Sequence, residues 1–443
     1  MIKIRIGIFP CDLEAVLADK KNLNFEFVYL TAKNSVEENW VKSFVSKKNI
    51  VYYNLAKNKS ALEKNSFTDI FSSSNVATVI KNNKLKFLWL TVNNDDRSYL
   101  KKWAQKNKVK IVGPEFNLQS NLENKIWFDL FLTRNQLPKP ASQIYQPKTD
   151  KVKLKSKLVL QSSNSAGGEG TFFLNNKKEI ASLIKAKKII LNKKYLLRQL
   201  IQGKPFGITI FVAPKIIALS ALRLQCYQNS DSAKEKMFKG IQWLPTSRLK
   251  INKKDINKIF SQLGQKLYEE KFLGFANVDF IVDKKGKIFI LECNPRFSSA
   301  TVQLIKFPQL ISGVPTGQLF VTSFLNQNKY PKQYKFYPMP KINFTGSVLN
   351  IDLLPKKTLT INKEFTKGVY KLTKGKIEFK TSDIKKLDMN QMEFIFMSMT
   401  KKGEKYSHKT NIGSIISNYS LFTNDGKINQ AGKKLLNTFK NYA

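Results

Sequence analysis

The stretch NVDFIVDKKGKIFILECNPRFSSA, residues 277–300, sets two apolar runs on either side of a Lys-Lys-Gly turn, and each run carries an acid. The turn makes the runs antiparallel neighbours, so Asp279 on the first and Glu292 on the second can face each other across one surface. Asn294, two residues after Glu292, points the same way because side chains alternate along a strand. Two adjacent carboxylates repel unless a cation sits between them, and carboxylates with an amide oxygen make a ligand set that suits Mg²⁺. The plainer alternative is a sheet edge whose acids face water. A second stretch, SSNSAGGEGT (162–171), holds Gly167, Gly168 and Gly170 just after a strand-like run. Glycines there would let backbone N–H groups approach phosphate oxygens without a Cβ in the way. The spacing is neither GxGxxG nor the pattern ending in Gly-Lys-Ser/Thr. An ordinary flexible turn is its alternative.

The surrounding sequence must position these groups. Residues 1–120 alternate strand-like runs (KIRIGIFP, FEFVYL, NIVYYNL, KFLWLTV, KVKIVGP) with helical stretches, the pattern of a parallel, doubly wound sheet. A helix over LENKIWFDLFLTRNQ runs into the stop LPKPAS, and the strand KSKLVLQ leads to the glycine loop. After a short helix near 177–187, KYLLRQLIQG and KPFGITIFVAPKIIALSALRLQCYQ read as strands. DINKIFSQLGQKLYEEKFLG is an amphipathic helix leading into the acid-bearing hairpin. Beyond 327 the chain is Lys-rich and mixed, with strands at MEFIFMSMT and IGSIISNY and a terminal helix over INQAGKKLLNTFKNY. The fold class is therefore α/β, with α+β character in the centre. The expected domains are 1–120, 121–326 (lobes 121–195 and 196–326) and a mixed extension, 327–443.

Composition narrows the chemistry. The formal charge is +44, yet only seven of the 76 Lys and Arg residues are Arg, and lysines accompany Asn and Ile along the whole chain. That spread points to a Lys-writing coding bias and away from a nucleic-acid site, which favours clustered Arg. The three cysteines lack CxxC spacing and His408 is the single histidine, so zinc and disulfide frameworks are not expected and a reducing cytoplasm fits. No run of about 18 uncharged apolar residues would span a membrane.

Taken in order, NK…LPKPAS, LVLQ…SAGGEGT, LLRQLIQG, GFANVDFIVD and FILECNPRFSSA resemble the ATP-grasp superfamily of carboxylate–amine ligases, biotin carboxylase and carbamoyl phosphate synthetase, over about residues 1–320. The resemblance implies a Rossmann-like N-terminal domain before a two-lobed ATP-grasp domain. It implies that Lys125 contacts ATP phosphate and that Ser165 to Thr171, including Gly167, Gly168 and Gly170, fold over the phosphates. Arg198 to Ile201, Gln199 among them, would offer backbone groups to adenine. Asp279, Glu292 and Asn294 would hold Mg²⁺, with Mn²⁺ as a substitute, and Arg296 would be the catalytic residue that neutralises transferred phosphoryl or acyl oxygens. Gln161 stands where most members carry a second phosphate-binding Lys, so that either Lys204 or a lysine of KVKLKSK supplies the charge, or ATP is held more loosely, or the chain does not catalyse. Acidic residues usual at the hinge are also missing.

The implied activity is ATP- and Mg²⁺-dependent activation of a carboxylate as an acyl phosphate, passed to an amine or similar nucleophile. The alternative is an ATP-binding regulatory module without turnover. The partners would be a small-molecule carboxylate and amine, with a homodimer as the oligomeric option. Acceptor-pocket walls would include Arg223, Gln242 and Ser298. Trp243 is a wall or a core aromatic, and Ser298 and Ser299 line the pocket or cap the next helix.

Overall fold

A computed structural model describes residues 4–8, 25–32, 38, 41–42, 46–54, 67–90, 97–154, 157–164, 170–229, 236–249, 251–325, 333–353, 358–362, 365–373, 376–382, 386–388, 392–398, 402–403, 405–406 and 410–440. The first five strands are β1 (Ile4–Ile8), β2 (Phe25–Ala32), β3 (Ile50–Tyr53), β4 (Phe87–Trp89) and β5 (Lys110–Val112). They form an all-parallel sheet in the order β3-β2-β1-β4-β5. Their short apolar runs are buried on both faces, as a covered parallel sheet requires: Ile6 and Ile8 belong to one core, Val28, Leu30 and Leu88 to another. Helices α1 (Phe67–Ser73), α2 (Val76–Asn82) and α3 (Arg97–Lys106) contribute to the second core.

Helices α4 (Phe116–Glu123) and α5 (Lys125–Arg134) lead into a four-stranded antiparallel sheet. Its strands are β6 (Ser142–Tyr145), β7 (Leu158–Ser162), β8 (Thr171–Leu174) and, after helix α6 (Glu179–Lys185), β9 (Tyr195–Gln199), in the order β6-β9-β7-β8. A compact core around Leu158, Leu160, Phe172 and Leu197 fills its outer side. The expected strand 194–203 ends at Gln199, and the next begins at Gly203, so residues 200–202 join two different sheets.

The second half builds one large sheet from β10 (Gly203–Ala213), β11 (Ile216–Leu219), β12 (Arg223–Asn229), β13 (Lys236–Trp243), β14 (Gly274–Asp283) and β15 (Ile288–Asn294). It continues through β16 (Lys335–Tyr337), β17 (Gly346–Leu353), β19 (Gly368–Thr373), β20 (Lys376–Thr381), β21 (Glu393–Ser398) and β23 (Thr410–Ser417), while β18 (Leu359–Thr360) pairs with β22 (Lys405–Tyr406) apart from it. Its path is β15-β14-β10-β12-β13-β17-β23-β21-β19-β20. Helix α7 (Lys253–Glu269), capped by the side chain of Asn252, lays Ile256, Phe260, Leu263 and Leu267 into the core. Helices α8 (Ser299–Lys306) and α9 (Thr316–Leu325) follow the hairpin, and α10 (Gln430–Lys440) closes the chain. The mixed α/β class holds: a parallel N-terminal sheet, then antiparallel sheets. The strands expected near 393 and 413 exist, and they add to the same sheet as the acid-bearing hairpin.

Candidate active site

The hairpin β14–β15 pairs Asp279 directly with Glu292 and Asn277 with Asn294. Asp283 Oδ1 accepts from the backbone N–H groups of Lys285 and Lys287, at 2.8 Å each, and Gly286 takes φ +82° at the turn, a conformation that glycine adopts without strain. The register that sets the two acids face to face is thus fixed locally. Asn294 Nδ2 lies 3.4 Å from Glu292 Oε1. Burial pushes the Asp279 carboxyl up to about 7, with the facing Glu292 adding to the rise and Arg223 opposing it. For Glu292 burial also raises, but Lys125, 3.2 Å away, outweighs it and holds the carboxyl below its ordinary range.

These residues fit a divalent cation. Burial and the neighbouring charge push Asp279 toward its neutral form, the behaviour of a carboxylate lacking a counter-charge. Among the described residues there is no cluster of three or more His, Cys, Asp or Glu. The set is two carboxylates and an amide, which suits Mg²⁺, an ion usually completed by waters and substrate phosphates.

Lys125 comes to the hairpin from another element. Asn124 caps α5 by accepting from the N–H groups of Ile126 and Trp127, both at 3.0 Å, and the Lys125 N–H donates to Ser163 O at 2.8 Å. The first residue of the helix is thereby pinned between the end of β7 and β15, with its side chain buried. One turn further on, Asp129 Oδ1 accepts from Arg198 Nε and NH2 at 3.2 and 3.1 Å, while its Oδ2 accepts from Lys139 at 2.8 Å and Ser142 at 2.7 Å. Burial lowers the Arg198 pKa, and Asp129 opposes the drop. Arg198 NH1 donates to Gln161 Oε1 at 3.3 Å, and Gln161 Nε2 lies 3.4 Å from Thr171 Oγ1. Val159, Phe173, Gln199, Leu200 and Ile201 complete this side. Ser165, Gly167 and Gly168 lie outside the described residues. Gly170, at φ +64°, accepts the Ser162 N–H through its carbonyl and returns the chain to β8.

Across the large sheet, Gly207 of β10 pairs with Asp279 on one side and Arg223 on the other. A Cβ at Gly207 would lie 2.6 Å from Gln225 Nε2 and 2.9 Å from Arg223 Cζ. The missing side chain lets both groups reach over β10 toward the acid, where Gln225 Nε2 donates to Asp279 Oδ1 at 2.5 Å. Arg223 is buried and donates to Thr209 Oγ1 at 2.9 Å, and burial brings its pKa down to about 10 against the pull of Asp279. Arg296 NH1 donates to Asn294 Oδ1 at 3.0 Å, and its carbonyl accepts from Asn277 Nδ2 at 2.7 Å. Ser298 caps α8, accepting from the Thr301 N–H at 3.3 Å, and also lines the cavity. The Ser299 side chain lies outside the described residues.

Lys125, Gln161, Thr171, Gln199, Ile201, Arg223, Asp279, Glu292, Asn294, Arg296 and Ser298 all open onto one cavity of about 500 Å³ between the two antiparallel sheets. Gln242 does not. It is fully buried, and its Oε1 accepts from Ser347 Oγ, Ser420 Oγ and the Phe422 N–H. The neighbouring position Ile241 faces the cavity, because alternation along β13 puts 241 and 242 on opposite sides. Trp243 is 3% exposed and joins the core with Ile241 and Phe297. Two further residues of the site carry signals in the sequence that its motifs do not cover. Gln225 follows Arg223 by two in RLQCYQ, where polar and apolar residues alternate, and Asp129 stands four residues after Lys125 on one helix face.

Residues 122–300 match the family model described as ATP-grasp domain. No curated protein matches the chain in sequence. Among solved structures, the biotin carboxylase domain of Hydrogenobacter thermophilus 2-oxoglutarate carboxylase, a dimer in complex with MgADP, ADP and bicarbonate, is similar with TM-score 0.64 at 12% identity, over 95% of this chain and 87% of that one. Biotin carboxylase from Campylobacter jejuni is similar with TM-score 0.60 at 12% identity, over 94% and 87%. An ADP complex of N5-carboxyaminoimidazole ribonucleotide synthetase is similar with TM-score 0.59 at 13% identity, over 100% and 98%. These likenesses carry the fold.

Proposed function

Because residues 122–300 match an ATP-grasp domain, we propose that the chain is an ATP- and Mg²⁺-dependent ligase that joins a carboxylate to an amine or similar nucleophile. The observation that carries this reading is the convergence of Lys125, Asp279, Glu292, Asn294, Arg223 and Arg296 on one cavity. We assign the chemistry to residues 121–326, with 1–120 and 327–443 as flanking domains, and we place the protein in the cytoplasm. Among the described residues, no helix is long and apolar enough to cross a membrane.

Bound at Asp279, Glu292 and Asn294, Mg²⁺ would supply charge neutralisation to the triphosphate, with Mn²⁺ a possible replacement. The chain's own residues do the rest. Val159, Phe173 and Leu200 offer an apolar slot to a base, and residues 199–201 offer backbone groups to its edge. Lys125 and Arg198 face the phosphates. A substrate carboxylate oxygen attacks the γ-phosphorus, the bond from that phosphorus to the β,γ-bridging oxygen breaks, and ADP leaves with the electron pair. The amine nitrogen then attacks the acyl carbon, the C–O bond breaks, phosphate departs and the nitrogen loses a proton. Arg296 neutralises charge on the oxygens in transfer. Such chemistry asks for positioning and charge more than for a side chain of special pKa, in keeping with a chain that has a single histidine.

The test is release of ADP and phosphate that requires both a carboxylate and an amine. A second reading, a nucleotide-binding module without turnover, is favoured by Gln161, a neutral group at a position where the resemblance leads one to expect Lys. It requires Mg·ATP binding with no ADP release against any substrate pair.

A further inference from the structure

The hairpin acids, a guanidinium without an acid partner and an apolar wall succeed one another across one face of the large sheet. Glu292, Asp279, Gly207 and Arg223 form a single row over β15, β14, β10 and β12. Row-mates share a face, and with strands about 4.8 Å apart β13 lies roughly 14 Å beyond the strand of Asp279. At that far end Phe238 and Ile241 of β13 turn the cavity wall apolar, and Tyr227 of β12, paired in register with Phe238, meets it edge to face with centroids 5.7 Å apart. Phe297 and Ala300, which follow β15, add further apolar lining.

Arg223 stands between the two ends. It is 2% exposed, and its guanidinium donates to two neutral oxygens, Thr209 Oγ1 at 2.9 Å and Asn277 Oδ1 at 3.4 Å. Among the described residues no carboxylate lies within ion-pair distance of it. Asp279, the acid whose field it feels, accepts from Gln225 instead. A buried guanidinium left without an anion is costly, and here it lines a cavity, so the missing anion belongs to a ligand. The apolar wall next to it has the same implication for that ligand's other end.

Resting on the ligase reading, we propose that the activated substrate is a carboxylic acid with an aliphatic or aromatic body: Arg223 holds its carboxylate beside the hairpin acids, and the body lies on Tyr227, Phe238, Ile241, Phe297 and Ala300. Bicarbonate has nothing to place on that wall.

The experiment uses the full chain with Mg·ATP and hydroxylamine as nucleophile. Hydroxylamine attacks the acyl carbon of an acyl phosphate, expels phosphate and loses a proton, giving a hydroxamate whichever amine is the natural acceptor. ADP release and hydroxamate are measured for bicarbonate, acetate, butyrate, hexanoate, phenylacetate, leucine and phenylalanine. The expected result is kcat/KM at least about tenfold higher for the best apolar acid than for bicarbonate or acetate, one or two buried methylenes being worth that factor. Arg223→Gln should raise KM for that acid on the order of 10²-fold, as loss of a charged hydrogen-bond partner does, and leave Mg·ATP affinity within about threefold. Phe238→Ala, at a partly exposed position, should shift the preference toward bulkier acids even if Arg223→Gln fails to fold. Equal use of bicarbonate and apolar acids overturns the substrate class and leaves the ligase standing. Equal loss of ATP and acid binding in Arg223→Gln makes Arg223 a phosphate clamp and overturns its role. No ADP release with any acid, while Mg·ATP still binds, removes the ligase reading and the inference with it.

Discussion

Arg198 donates to Gln161 across the gap between β9 and β7, NH1 to Oε1 at 3.3 Å. Arg198 and Lys139 share one carboxylate, Asp129, so the trio is net positive, and Arg198 faces the cavity with that surplus. Arg198, from the neighbouring strand, thus brings a positive charge next to Gln161, while Lys204 is exposed. A lysine at position 161 would meet this guanidinium. Gln161→Lys is therefore expected to weaken Mg·ATP binding by about tenfold or more, since like charges this close repel by over ~1.4 kcal/mol even at a generous effective dielectric. Gln161→Lys/Arg198→Gln should lose less than the two single changes together. Calorimetric Mg·ATP titrations of the four proteins measure the coupling; strict additivity would exclude contact between the two sites.

Asp279 and Glu292 face each other in register, with Lys125 3.2 Å from Glu292. Asp279→Asn should therefore stabilise the chain in chelator, by about 1 kcal/mol, because it removes like-charge repulsion and the burial of a charge. The same change should abolish the stabilisation that Mg·ATP gives the unaltered protein. Thermal melts with and without Mg·ATP read both effects, and Glu292→Gln should lose the ligand effect together with the ion pair to Lys125.

Arg296 is held from two sides, its guanidinium on Asn294 and its carbonyl on Asn277. Arg296→Lys keeps a charge but loses the planar fork that can hold two oxygens at once. Turnover should fall on the order of 10²-fold, the scale of one lost oxyanion donor, with Mg·ATP affinity changed only a few-fold. Steady-state kinetics with separate binding measurements would show the split.

Gln242 serves the fold. Its Oε1 gathers three donors from β17 and the segment before α10. Gln242→Ala would strand the buried Phe422 N–H, the two hydroxyls keeping the Tyr419 and Phe422 carbonyls as acceptors, at a cost of about 1–3 kcal/mol. A lowered denaturation midpoint with unchanged KM for ATP is the expected pair of results.

What can be read from the chain is local. The turn residues 283–287 announce the hairpin, its alternation fixes Asp279 opposite Glu292, and the Asn-Lys start of α5 places Lys125. Short apolar runs with helical spacers announce the parallel sheet just as plainly. Pairing between distant segments leaves no such trace. That β13 finds β17, far along the chain, depends on which surfaces remain unfilled after the hairpin, α7 and α8 have packed. Gln242 escapes the sequence reading for the same reason: alternation says that 241 and 242 face apart, but which of them meets the cavity is decided by what covers each side.

The unbroken ladder from β15 to β20 has a consequence for cutting or grafting this protein. An ATP-grasp fragment ending near 326 would leave β13 with a naked row of N–H and C=O groups where β17 now sits, along with the orphaned acceptor of Gln242. Exposed strand edges recruit other strands. Such a fragment should therefore self-associate, because in the full chain β17 covers the β13 edge that would otherwise recruit a second copy.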